Sequence, residues 1–401
     1  IIEMEMALDS SAHSGRQPED LGSMLHEVLG VKDLWAHTQT FQGKGKKEGG
    51  RPNLLVSCNC PKNDYSPQWD SNSRCIHVSK STVSCNRHWP ATEIELPGDG
   101  VFEFDKVFQE GDSVCDYFSR FIIPVARGQD VTFLSYGETS SCKSRTISGV
   151  SSASQCTSME HKRQGLLPFF AARLLNVSAA KDSEVNIEMA ISIADIFKEN
   201  VLDLLRDPDA SNNGGVFGTS GSVQLRESNL PLEKINVCCM HDILNAMIIA
   251  RERRTCDDIN SRGFSIMRTI NSHIVYTLHL KSYWPKAHFE CESQVTFVDL
   301  ASSERRGLLI GSNSSIIDNH EMSKQLVSVS HSLRILADVL SALKKGVEPL
   351  PFCAGSGLTS YLQDALKKET LINVLCCVQP FCTEETFSSL QYCHNFKFHQ
   401  A

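Results

Sequence analysis

The sequence has no run of about 18 or more uncharged apolar residues, the length a helix needs to cross a bilayer, so no membrane-spanning segment and no membrane partner is expected. It has no excess of positive charge either. Its 39 Lys and Arg stand against 47 Asp and Glu, a formal net charge of −8, so the basic footprint of a nucleic-acid partner is missing. The 16 cysteines include no C-x₂-C pair. Cys58 and Cys60, the neighbours Cys238-Cys239 and Cys376-Cys377, and Cys382 are scattered, several in apolar runs where a free thiol behaves as a small hydrophobe. That spacing argues against a zinc site and a metal of that class. The first residues, Ile1-Ile-Glu-Met-Glu-Met6, do not read as a signal peptide. An intracellular, cytoplasmic protein without a disulfide framework is the expectation.

What the chain does have is bulk: 401 residues with 41% hydrophobic content can bury a sizeable core. Residues 1–52 read as an extension, closing on the flexible basic stretch Gly43-Lys-Gly-Lys-Lys-Glu-Gly-Gly-Arg-Pro52. Within it Leu21, Met24, Leu25, Val28 and Leu29 recur at helical spacing, which predicts one amphipathic helix. Residues 53–399 read as the main domain.

Strands are predicted at Leu54–Cys58, Glu93–Leu96, Val101–Asp105, Val131–Tyr136, Val185–Ile193, Ile274–Lys281, Gln294–Leu300 and Leu371–Val378. Helices are predicted at Ser113–Ala126, Leu166–Leu175, Ile196–Leu205, Ile243–Arg253, Gln325–Leu343 and Leu358–Leu366, with a last one from Glu384. The polar stretch Asp209–Gly221 reads as a surface loop. Strands alternating with helices argue for an α/β layer fold around a buried, mostly parallel sheet.

One stretch carries chemistry. After the apolar run Val131–Tyr136 comes Gly137-Glu138-Thr139-Ser140-Ser141-Cys142-Lys143-Ser144, the outline of a phosphate-binding loop. In such a loop glycines let backbone N–H groups close around phosphate oxygens, the lysine reaches the terminal phosphates, and the Ser/Thr hydroxyl holds Mg²⁺. Here Cys142 stands where the second glycine belongs.

Five stretches in order resemble the kinesin motor domain, over about residues 53–399. Val101-Phe-Glu-Phe-Asp-Lys-Val-Phe108 is similar to F-x-F-D-x-V-F, and Tyr136–Ser144 to Y-G-Q-T-G-S-G-K-T. Ser192–Leu205 resembles S-x-x-E-I-Y-N-E-x-V-x-D-L-L. Asp299-Leu-Ala-Ser-Ser-Glu304 resembles the switch II signature D-L-A-G-S-E, and Glu384–Tyr392 the closing E-E-T-x-x-T-L-x-Y helix. The resemblance implies a P-loop NTPase-like twisted sheet with helices on both faces, an ATP and Mg²⁺ site at one edge, and microtubule (tubulin) contacts on the opposite side. It also implies a cytoskeletal location, and homodimers through a coiled coil of the kind the family carries elsewhere. Divergent scaffolds of the Costal type are one branch of that family, and no motif ties the chain to them.

The implied site is eroded on several sides. Lys143 and Ser144 keep the side chains that touch phosphate and Mg²⁺, while Ser140 and Cys142 replace glycines and Glu138 replaces a glutamine. A carboxylate about 6 Å from a phosphate charge would cost about 3 kcal/mol, and far less turned away; the sequence leaves its direction open. The family's R-x-R-P beside adenine corresponds to Cys58-Asn-Cys-Pro61, so only Pro61 remains. The switch I match falls on 266–273. Ser272 and His273 survive there, but Ile270 lacks the hydroxyl that approaches Mg²⁺ and Asn271 lacks the arginine that pairs with Glu304. Switch II keeps Asp299 and Glu304, with Ser302 for the glycine that senses the γ-phosphate. On the microtubule side His331 and Cys353 replace residues that are typically basic, and Gly357 falls at a lysine position, although Lys344-Lys345 and Arg305-Arg306 stay nearby. The expectation is a pseudo-motor or scaffolding module with little or no ATP hydrolysis, against the alternative of a slow microtubule-stimulated ATPase.

Overall fold

Runs rich in β-branched and aromatic residues, short enough to be strands rather than helices, build the centre of the fold. The computed structural model describes residues 53–58, 76–78, 82–85, 100–108, 113–139, 141–149, 165–180, 184–197, 199–206, 231–259, 271–302, 316–378 and 384–395, all within the unit Gly49–Ala401. The helix predicted across Leu21–Leu29, the strand Glu93–Leu96, the loop Asp209–Gly221, and Pro61, Ser140, Ile270 and Glu304 lie outside the described residues.

In chain order the strands are β1 (Asn53–Cys58), β2 (Ile76–Val78), β3 (Thr82–Cys85), β4 (Gly100–Glu103), β5 (Lys106–Phe108), β6 (Val131–Gly137), β7 (Asn186–Phe197), β8 (Asn200–Asp203), β9 (Ile235–Val237), β10 (His273–Trp284), β11 (Phe289–Asp299) and β12 (Leu371–Val378). The helices are α1 (Val114–Phe118), α2 (Ile122–Ala126), α3 (Lys143–Ser148), α4 (Leu166–Ala179), α5 (Met240–Ile259), α6 (Ile316–Lys344), α7 (Leu350–Cys353), α8 (Gly357–Tyr361) and α9 (Glu384–His394). The main sheet runs β5-β1-β12-β6-β11-β10-β7-β8, with β9 on β7, and β2-β3-β4 form a separate small sheet.

The half of the main sheet that carries the phosphate-loop motif is parallel: β6 lies between β12 and β11, Val131 standing opposite both Leu371 and Val295. The pairs β10–β11, β10–β7, β7–β8 and β7–β9 are antiparallel. The carboxyl ends of β6, β11 and β12 therefore meet at one edge, where open α/β sheets place their ligands.

Strand alternation sends successive side chains to opposite faces. Phe133, Phe297 and Leu375 go to one side with Phe118 and Phe170 from α1 and α4; Leu134, Val298 and Val374 go to the other with Leu336, Val339 and Leu340 of α6. The first cluster is aromatic, with Phe133 stacked on Phe297 at 5.3 Å and edge-on to Phe118 at 4.9 Å. Truncating such a buried Phe to Ala costs about 3–5 kcal/mol. The span Gln325–Lys344 of α6 is long and apolar enough, by length and composition, to cross a membrane. In this fold it is a core helix: Val329, Leu333, Leu336, Val339 and Leu340 are buried, and Arg334 pairs with Asp338 on the outer side.

The predicted helix Ile196–Leu205 is a hairpin instead. Strand β7 runs on to Phe197, pairs there with Asn200, and returns as β8. The apolar residues Ile196, Phe197, Val201 and Leu202 satisfy a helical period and a two-strand alternation alike. The turn decides it: Glu199 takes φ 66°, the left-handed conformation that two-residue hairpins require and helices exclude. The helix predicted over Leu358–Leu366 is likewise shorter, confined to α8 with its N-cap hydroxyl on Ser356. The stretch Ser113–Ala126 is helical as expected, in two α segments joined by a 3-10 turn and capped by Ser113 Oγ, which accepts from the Asp116 N–H at 3.1 Å.

Candidate functional site

The loop after β6 begins on Gly137 at φ 149°, and a Cβ there would lie 2.0 Å from the Cys377 carbonyl oxygen, so β12 passes too close for any other residue. The loop ends on Cys142, which caps α3 at φ 68° and ψ 23°. The position where the family motif carries glycine is thus left-handed in this chain, and a side chain held there costs about 1–2 kcal/mol. Internal bonds brace the turn: the Ser141 hydroxyl donates to the Glu138 carbonyl at 2.7 Å, and Thr146 Oγ1 to the Cys142 carbonyl at 3.0 Å.

Lys143 is buried, and its ammonium is turned back onto the protein. Nζ donates to the Gly137 carbonyl at 2.8 Å, the Glu138 carbonyl at 2.7 Å and Ser302 Oγ at 3.3 Å. An ammonium has three N–H donors, and three protein oxygens meet them.

Ser144 and Asp299 come together across the sheet edge. Ser144 Oγ donates to Asp299 Oδ2 at 2.5 Å, and Ser135 Oγ on β6 holds Oδ1 at 3.3 Å. Beyond Asp299, Ser302 Oγ lies 2.7 Å from Thr139 Oγ1. The end of β11 and the segment after it are therefore bonded to Ser144 and to Thr139 and Lys143 respectively.

Glu138 is turned into the fold. It is buried, and its Oε1 accepts from Thr386 Oγ1 on α9 at 2.7 Å. Its carboxylate is engaged with the last helix.

Of the residues matched to switch I, the described Asn271, Ser272 and His273 lie at the start of β10. Asn271 Nδ2 donates to Gln325 Oε1 of α6 at 3.3 Å. The Ser272 Oγ accepts from Arg254 Nη2 at 2.7 Å, and Arg254 Nε lies 3.4 Å from the fully buried Asp195 of β7. His273 Nδ1 accepts from the Ala301 N–H at 3.0 Å, which leaves Nε2 to carry the proton and donate to Ser332 Oγ at 2.9 Å. Burial, helped by the nearby Arg254 charge, pushes the His273 pKa down to about 3. His273 is a neutral structural tie between β10, the end of β11 and α6.

A family model described as the kinesin motor domain matches residues 66–398. The chain belongs to the kinesin motor-domain family. It is 25% identical over 318 residues to "Kinesin-like protein KIN-5C" of Arabidopsis thaliana, covering 75% of this chain and 30% of that protein. It is 27% identical over 310 residues to "Kinesin-like protein Klp61F" of Drosophila melanogaster, covering 74% and 27%. It is 26% identical over 333 residues to "Chromosome-associated kinesin KIF4B" of Homo sapiens, covering 79% and 25%. The chain spans a quarter to under a third of the length of these relatives.

Among solved structures, that of a fast kinesin superposes with a TM-score of 0.63 at 21% identity, covering 86% of this chain and 91% of that one. The motor and motor homology domain of Kar3Vik1 gives 0.64 at 16%, covering 99% and 96%. At that identity the likeness concerns the fold. The fast-kinesin structure is described for its implications for an ATPase mechanism and for interactions with microtubules.

Within this kinesin fold the structure brings Gly137, Thr139, Lys143, Ser144 and Asp299 to one sheet edge. It sends Glu138 toward α9, and Ser272 and His273 into structural bonds. The sequence reading missed four residues: Thr386, Arg254 with Asp195, and Ser332. Arg254 closes the charged run Arg251-Glu-Arg-Arg254; Asp195, set in the apolar run Ile191-Ser-Ile-Ala-Asp-Ile-Phe197, is the sequence signal that a cation turns inward to meet it.

On the face formed by α6, α7 and α8, Cys353 is buried and His331 Nε2 lies 2.9 Å from the Gly355 carbonyl. Over residues 325–340 the outer row of α6 is Val327, Ser330, His331, Arg334 and Asp338, and Val327 is 68% exposed. Lys344 Nζ donates to the Asn395 carbonyl at 3.2 Å.

Proposed function

We propose that this chain is a kinesin-like pseudo-motor, a motor fold that serves as a microtubule-associated or scaffolding module with little or no ATP hydrolysis. The observation that carries this reading is the state of Lys143, whose donors are taken by two loop carbonyls and Ser302. Ser144 and Asp299 form an oxygen pair suited to a hard cation such as Mg²⁺, which would neutralise phosphate charge there. The phosphate cradle fits poorly: a Cβ occupies the left-handed turn at Cys142, Ser302 adds a side chain at the sensing position, and Asn271 is bonded to Gln325. Phosphoryl transfer depends on positioning and electrostatics, so several misplaced groups compound.

Microtubule association on this reading is weak, because over residues 325–340 the outer row of α6 pairs one arginine with an aspartate and is otherwise neutral. A slow microtubule-stimulated ATPase is the second reading, and the preserved Ser144–Asp299 pair favours it. Equilibrium titration with MgATP separates them. The pseudo-motor account expects no saturable binding below the millimolar range, and micromolar binding that needs Mg²⁺ and is lost in Lys143→Ala contradicts it.

A further inference from the structure

We propose that Ser302 is an internal clasp: its hydroxyl occupies Lys143 and Thr139, holds the segment after β11 shut on the phosphate loop without nucleotide, and competes with a terminal phosphate for these groups. Two contacts carry the proposal. Ser302 Oγ is 2.7 Å from Thr139 Oγ1 and 3.3 Å from Lys143 Nζ. Thr139 belongs to the loop and Lys143 opens α3 directly after it; Ser302 follows β11, 163 residues from Thr139 in sequence. A glycine at 302 has no hydroxyl to offer, so the clasp exists only because this chain departs from the family there.

Neighbouring bonds give the contact leverage. Ala301 is held by its N–H to His273 Nδ1, and His273 is itself held to Ser332 of α6. Asp299, three residues before Ser302, accepts from Ser144 of the loop. Ser302 thus follows directly on residues tied to β10 and to Ser144, so its hydroxyl is presented to the loop with little further loss of freedom. A hydroxyl bonded to an ammonium is weaker than a phosphate, yet it is intramolecular and always present, so an incoming triphosphate must displace it.

The clasp stands on geometry, and only its competition with phosphate rests on the nucleotide-site reading. Amide hydrogen exchange on Ser302→Ala and Ser302→Gly tests the first part. Amides of residues 138–144 are expected to exchange about tenfold faster in both variants, since net bonds of this kind are each worth about a factor of five to ten, while those of β6 and β11 stay unchanged. Unchanged exchange at 138–144 in the folded variants overturns the clasp. Titration of the same proteins with fluorescent ATP and ADP analogues in Mg²⁺ tests the second. About tenfold tighter ATP binding with ADP changed by less than threefold supports competition at the terminal phosphate; equal gains for both nucleotides overturn it. Faster exchange with no binding of either nucleotide supports the clasp, agrees with the pseudo-motor reading, and overturns the competition with phosphate.

Discussion

Glu138 and Thr386, 248 residues apart, meet at 2.7 Å, carboxylate to hydroxyl, in the buried seam between the phosphate loop and α9. The charge that the sequence places beside a phosphate site is thereby committed to the last helix. Hydrogen bonds to charged groups contribute about 1.5–3 kcal/mol. A double-mutant cycle on Glu138→Gln and Thr386→Val is expected to give a coupling energy of about 1–2 kcal/mol in denaturant unfolding. Additive effects would mean that the bond contributes nothing. Because the carboxylate is engaged with α9, Glu138→Gln alone is expected to leave ATP affinity within about threefold of the parent.

Cys142 holds φ 68° with a Cβ in place. Cys142→Gly relieves about 1–2 kcal/mol of left-handed strain and returns about 0.5–1 kcal/mol through greater freedom of the unfolded chain. Net stabilisation of about 0.5–1 kcal/mol is expected in urea unfolding. A destabilised variant would show that the thiol packs more favourably than the backbone is strained.

Lys143 is read as a structural cation in the protein without nucleotide. Lys143→Met removes the donor shared by the Gly137 and Glu138 carbonyls, and a loss of about 1–3 kcal/mol is expected without any ligand present. An unchanged melting temperature would place the lysine's role with a ligand alone.

Two histidines set a pH dependence. Burial lowers His273 to about 3, and burial with the nearby Lys234 charge lowers His279 to about 4. Unfolded histidine titrates near 6.5, so between about pH 6.5 and 4 the unfolded chain binds the extra protons. Stability from these groups is complete above 6.5 and declines as pH falls, by up to about 1.4 kcal/mol per pH unit for each histidine. His279→Gln is expected to flatten the fall in melting temperature between pH 7 and 5. An identical slope would remove His279 from the account.

The sheet was legible because buried strands such as Leu371–Val378 are continuous apolar runs, and the site because Gly137, Lys143, Ser144 and Asp299 keep their spacing. The hairpin at Phe197–Asn200 was not, since its apolar residues fit two periods and only the conformation of Glu199 separates them. The direction of Glu138 was also illegible: its partner lies on a helix far along the chain, and a carboxylate turned inward or outward has the same sequence. Side-chain bonds such as Thr139–Ser302 depend on register between the loop and β11, which composition does not encode.

Co-pelleting with microtubules in the presence of ATP, ADP, a non-hydrolysable ATP analogue and no nucleotide tests the central claim most directly, because a motor couples nucleotide state to filament affinity. The account predicts weak binding whose affinity changes by less than about twofold across the four conditions. A change of about tenfold or more between the ATP-analogue and ADP states would contradict it.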